Sequence, residues 1–209
     1  FNAPADTVVT NPLDLSMLES LHEVVREATE ALENYDHAKA LEVTEHFFWT
    51  FTDDYLELVK ERAYANAGQV DQVVGSAVIA LREALSVLVR LFAPFVPFAA
   101  EEVWSWWQTD AGSIHRAAWP TAEELTAGLD GANAPLLGLA SSALVGVRKA
   151  KSDAKVSMKA AVESAVLEAP AAVLTSLRLL ETDLKAVGRI ETLGYAEGEE
   201  VAMVDVILK

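Results

Sequence analysis

The sequence predicts a mainly α fold: an antiparallel helical bundle with a C-terminal strap over residues 1–125, then a small α+β unit over residues 136–209. Three observations carry this. Apolar residues recur at spacings of three and four through most of the first 110 residues. Turn-forming residues gather in "TAGLDGANAP" at 126–135, and beyond them the apolar period switches between helical and alternating. A chain of 209 residues with 52% hydrophobic content is long enough for one large core, or one core with an appendage.

After the lead "NAPADTVVTNPLD", Leu18, Leu21, Val25, Ala28 and Leu32 mark a first amphipathic helix, with Asp14 or Ser16 available as its cap. An aromatic helix follows from about Tyr35 to Tyr64, closed by the glycine of "NAG" at 66–68. Within it lies "HFFWTFTDDYLELVKER", residues 46–62. At roughly 100° per residue, Thr50, Asp53, Asp54, Glu57, Lys60 and Glu61 share a stripe of roughly 120°, and the apolar and aromatic residues fill the rest. That arc is wider than the apolar stripe of an ordinary surface helix, so this helix is expected to be buried on most sides. Asp53 and Asp54 are read as a solvated stripe in preference to an acid/base dyad, because sequence neighbours point about 100° apart.

A third helix is expected from about Val70 to Phe92, stopped by Pro94, and Pro97 opens a fourth through "FAAEEVWSWW". "SIHRAAWP" at 113–120 reads as an extended strap across the bundle. Beyond the linker, a helix from Leu136 to about Ser152 precedes "AVESAVLEA" as a strand, "AAVLTSLRLLETDL" as a helix and "VGRIETLGY" and "EEVAMVDVILK" as strands. "YAEGEE" is expected to turn a hairpin between the last two.

Charge divides the chain unevenly. Of the net −16, residues 1–135 carry 7 basic and 22 acidic side chains, and residues 136–209 carry 9 and 10. Arg148, Lys149, Lys151, Lys155 and Lys159 face only Asp153 in their window, which makes them the candidate site for a polyanion. The alternative is a solubilising face. No apolar run approaches the roughly 20 residues needed to span a bilayer, no signal peptide is seen, and a cytoplasmic monomer is expected. The opening Phe1, without a Met, suggests a piece of a longer chain. Zero cysteines exclude disulfides, thiolate chemistry and cysteine zinc sites.

Catalytic and metal motifs are not found. There is no glycine-rich phosphate loop, no G-x-S-x-G and no H-E-x-x-H. Ser113 and His115 lack an orienting acid, and His22, His37 and His46 lack helical metal spacing. "KVSMK" at 155–159 superficially matches a synthetase signature loop, but its order is wrong. Trp104, Trp106, Trp107 and Trp119 are read as core, with Trp119 clamping the strap, ahead of base-stacking platforms.

"FFWTFTDDYLELVKER", "LFAPFVPFAAEEVW" and "SIHRAAWP" together resemble the C-terminal region of bacterial valyl-tRNA synthetases, and "VRKAKSDAKVSMK" resembles its basic helix end. The resemblance covers residues 7–160. It implies a class I anticodon-binding helical bundle whose partners are tRNA(Val) and the remainder of the same synthetase chain. ATP and Mg are implied for the parent enzyme and no cofactor for this region, since the catalytic and editing elements lie upstream. A first bundle helix is expected before Phe1, and the coiled-coil arm common in the family is not seen by Lys209. Isoleucyl enzymes share the bundle but commonly end in a cysteine zinc site; zero cysteines and the Trp-Pro strap favour the valyl family, with leucyl enzymes the weaker third option. The competing reading from another class is an acidic helical scaffold that binds protein.

Overall fold

A computed structural model describes residues 7–64, 72–125, 129, 133 and 135–209. The expected "NAG" helix stop, the start of the third helix at Val70 and most of the 126–135 linker lie outside the described residues.

Helix α1 spans Pro12–Glu33, with Pro at its first position and Asn11 as cap, its side chain accepting from the Leu13 amide. The expected caps do other work. Asp14 and Ser16 are both fully buried, and the Ser16 hydroxyl accepts from the Leu137 amide at 3.0 Å. The aromatic helix is α2 (His37–Thr50) running through a π-helical turn (Phe51–Tyr55) into α3 (Leu56–Tyr64). The widened turn keeps Phe47, Phe51 and Tyr55 stacked in one column, with ring centroids 6.3 and 5.6 Å apart. Periodicity placed these residues on the buried arc, and Phe47, Phe51, Tyr55, Leu58 and Val59 are buried there; Trp49 departs from it at 53% exposure.

Helix α4 (Gln72–Phe92) ends before Pro94, and α5 (Pro97–Ser105) starts on Pro97. The strap is not wholly extended: residues Ile114–Arg116 and Ala122–Leu125 form single 3₁₀ turns. Trp119 clamps it as expected, its indole N–H donating to Thr29 Oγ1 at 2.9 Å, and Arg90 adds a bond to Glu124 at 2.6 Å.

Helix α6 (Leu136–Asp153) leads to β1 (Val162–Ala169), α7 (Ala171–Arg178), α8 (Glu181–Gly188), β2 (Ile190–Glu197) and β3 (Ala202–Leu208). The single helix expected between β1 and β2 is two, α7 and α8. The expected hairpin is absent too. Strand order is β2-β1-β3, with β1–β2 parallel and β1–β3 antiparallel, so "YAEGEE" carries the chain past the end of β1. Local alternation reports which residues form strands and is silent on which strand lies between the others. Helix α6 lies so close on β3 that a Cβ at Gly146 would strike the Met203 carbonyl. One hydrophobic core runs from Val9 and Leu13 through Tyr55 and Leu144 to Leu167 and Met203. The described part is thus mostly helical with a small three-stranded sheet.

Candidate nucleic-acid interface

Three features are candidates, the first two around the junction of α3, α6 and α8 and the third apart from it. The first is a buried polar network. Arg62 of α3 donates through both terminal nitrogens to Asp14 of α1 at 2.8 Å, and through Nε and Nη2 to Asp183 of α8 at 3.2 Å. Asp14 also accepts from the Tyr55 hydroxyl at 2.9 Å and from Ser76 Oγ at 2.7 Å. Ser76 in turn accepts the amides of Thr10 and Asn11. Burial pushes the Asp183 carboxyl above its usual value, and Arg62 pulls partly against it. Burial and the neighbouring Asp14 carboxylate raise the Tyr55 hydroxyl well above its own.

The second feature is the basic edge. Helix α6 ends in a Schellman turn: Lys155 takes the left-handed conformation at φ 55°, its amide donates to Ser152 O, and that of Val156 donates to Lys151 O. Helical phase turns Lys149 outward, the turn does the same for Lys155, Lys159 follows it, and all three are exposed. The other two sequence candidates are placed differently. Arg148 is paired, donating to Asp54 Oδ1 at 2.7 Å and to the Asp53 carbonyl at 2.8 Å beside the π turn. Asp54 is therefore half-buried in an ion pair, while Asp53 alone keeps the solvated position read for both.

Lys151 points inward, with 2% of its surface exposed. Its amine donates to the carbonyls of Met158 and Gly188 at 3.0 and 2.9 Å, which satisfies the last turn of α8. Desolvation, helped by nearby Arg189, lowers its pKa. Lys151 therefore does not join the exposed edge. Arg148, Lys159 and Arg189 border, with Lys60, Glu57 and Glu61 of α3, a cleft of about 580 Å³ in which the cations outnumber the acids.

The third feature escaped the sequence reading. Between α2, α4 and α5 runs an apolar groove of about 540 Å³ walled by Phe48, Trp49, Leu85, Phe92, Phe95 and Val103. Phe98 on α5 and Trp106 just past its end are 90% and 69% exposed. Of the tryptophans read as core, Trp104 fits, bonded through its N–H to the Gly112 carbonyl, whereas Trp106 and Trp107 are exposed. The available signal was crowding: four tryptophan and phenylalanine side chains stand in the ten residues "FAAEEVWSWW", two on α5 and two just past its end.

Among the described residues, no helix is long and apolar enough to cross a membrane, and no three acidic or imidazole side chains are grouped to hold a metal.

A family model described as the anticodon-binding domain of tRNA ligase matches residues 14–167. The chain is 52% identical to a valine–tRNA ligase of Leifsonia xyli subsp. xyli, over 100% of this chain and 24% of that protein. It is 50% identical to the valine–tRNA ligase of Cutibacterium acnes over 91% of this chain and 21% of that protein, and 50% identical to that of Thermobifida fusca over 96% and 22%. It thus spans roughly a quarter of the length of the relatives it matches. With the family model covering most of the chain and whole-chain relatives at half identity, this chain belongs to the anticodon-binding domain family of tRNA ligases.

Proposed function

We propose that this chain is the anticodon-recognition region of a valine–tRNA ligase, and that it positions tRNA(Val) for ATP-dependent aminoacylation by a catalytic part outside the 209 residues. The carrying observation is the family match over residues 14–167 together with half identity to valine–tRNA ligases along the whole chain. In this reading the helices form the antiparallel bundle of the class I type, residues 1–125 and 136–209 act as its two units, and the parent is a cytoplasmic monomer that uses ATP and Mg. The charge of the helical part repels phosphates, so bases must be held there by stacking and hydrogen bonds and the backbone elsewhere. The groove beside Trp49 supplies aromatic faces, and Lys149, Lys155 and Lys159 supply the cations, with Arg148 able to join them on leaving Asp54.

The test uses the full-length ligase and transcribed valine tRNA. Changing Lys149, Lys155 and Lys159 together to Ala is expected to weaken tRNA binding and flatten the logarithmic salt slope by up to about three. Valine activation without tRNA is expected to persist. An unchanged slope removes the basic edge from the interface and favours the acidic-scaffold reading.

A further inference from the structure

Arg62 of α3 faces α8, and two of its partners, Asp14 and Asp183, are unequal. Asp14 of α1 receives four hydrogen bonds from Arg62, Tyr55 and Ser76, all between 2.7 and 2.9 Å and all from the aromatic helix or α4. Asp183 accepts from Arg62 alone among the described residues, at 3.2 Å. The body therefore holds the guanidinium fork in place, and α8 docks onto it. Leu184, fully buried beside Asp183, supplies adhesion, but an apolar contact tolerates sliding where a planar fork does not.

What α8 carries makes the register matter. Its Gly188 carbonyl holds the Lys151 amine, which also holds the Met158 carbonyl, so the turn bearing Lys155 and Lys159 is tied to the end of α8. Arg189 follows directly. Helix α3, which carries Arg62, also carries Lys60, and the cleft between α3, α6 and α8 collects all of these cations but Lys155, against the two acids Glu57 and Glu61, the first of them paired with Lys60 at 3.2 Å.

We propose that Arg62 is a positioning residue for RNA binding: by gripping Asp183 it fixes α8 against α3, so that Lys60, Arg148, Lys159 and Arg189 border one cleft that takes a polyanionic backbone. This rests on the reading of the chain as a tRNA-recognition region. Arg62 is buried and touches no RNA; its effect is carried by the placement of α8.

The test is Asp183→Asn in the full-length ligase with transcribed valine tRNA, measured well below the melting transition. This variant leaves the Asp14 half of the network intact, whereas Arg62→Ala strands two buried acids. The expected result is a rise of about tenfold in the tRNA KM with kcat held, as a modest coupling between packed elements produces. The salt slope should also fall by about one to two, because the cations no longer converge. Should Asp183→Asn fail to fold, Arg62→Lys keeps the charge, drops the fork and is read the same way. A lowered melting temperature with unchanged KM and slope overturns the proposal. If the Lys149, Lys155 and Lys159 triple variant still flattens the slope, only the positioning role is lost; if it does not, the RNA-binding reading falls with it.

Discussion

Among the described residues, the chain before residues 126–135 and the chain after them each bury one cation, Arg62 and Lys151, and they hold it in opposite ways. Arg62 sits between two carboxylates. Desolvation pulls its pKa down, but hydrogen bonds and charge from Asp14, joined by Asp183, outweigh that and leave it above the ordinary value. Lys151 gives its protons to two backbone carbonyls, and desolvation, with Arg189 nearby, lowers its pKa. The difference follows from the side chains: a guanidinium fork matches carboxylates on two sides, while a compact ammonium on a flexible stem can finish a helix C-terminus. A cation buried on acids is a charge network whose loss strands other charges, and one buried on carbonyls is a hydrogen-bonded cap.

The largest expected effect breaks the first arrangement. Arg62→Ala leaves Asp14 and Asp183 buried without their countercharge, and is expected to destabilise the fold by about 3–5 kcal/mol. Chemical denaturation checks it; a loss near 1 kcal/mol would mean that water reaches the network. Next comes the aromatic column beside it. Phe51→Ala should cost about 3 kcal/mol for a buried ring, whereas Asp53→Ala, on an exposed carboxylate, should stay within about 0.5 kcal/mol. Equal midpoints for the two variants would overturn the orientation of the π turn.

Lys151→Met sharpens the contrast. The stem remains while the Met158 and Gly188 carbonyls lose their donor, so the expected cost is about 2 kcal/mol, below that of Arg62→Ala. The pH dependence differs as well. A lysine whose folded pKa lies below its unfolded value binds fewer protons when folded, so it makes stability rise with pH between the lowered value and the model-peptide value near 10.5. Subtracting the Lys151→Met pH profile from the parent profile should leave that upward slope; a flat difference would mean that the amine is not desolvated.

How much of this could be read from the sequence depends on whether the deciding partner is near or far along the chain. The helices of the body, the proline punctuation at Pro94 and Pro97 and the Trp119 clamp follow from local spacing and are legible. Asp14 reads as a cap because its neighbours are those of a helix start; its true partners, Tyr55, Arg62 and Ser76, come from two other stretches. Arg62 was invisible for the same reason, with Asp183 lying 121 residues away. The basic edge is a mixed case. Counting charge found five cations, but helical phase inside α6 and the Schellman turn decide that Lys151 goes inward and Lys149 outward. Strand order failed because the β1–β2 pairing is made across two helices.

The smallest effect separates stability from RNA contact at the same helix end. Lys155 and Lys151 are four residues apart, yet one is exposed at the left-handed position of the Schellman turn and the other caps α8 from within. A side chain with Cβ is strained at φ 55°, and glycine is the residue that turn ordinarily uses. Lys155→Gly is therefore expected to stabilise the fold by about 0.5–1 kcal/mol, part of the relief being offset by the freer unfolded chain. If Lys155 contacts a phosphate, the same variant should lower the salt slope of tRNA binding by about one. A stabilised protein with a reduced slope assigns Lys155 to the interface and Lys151 to the fold. A stabilised protein with an unchanged slope removes Lys155 from the interface and leaves Lys149 and Lys159 as the exposed cations of this helix end to carry it.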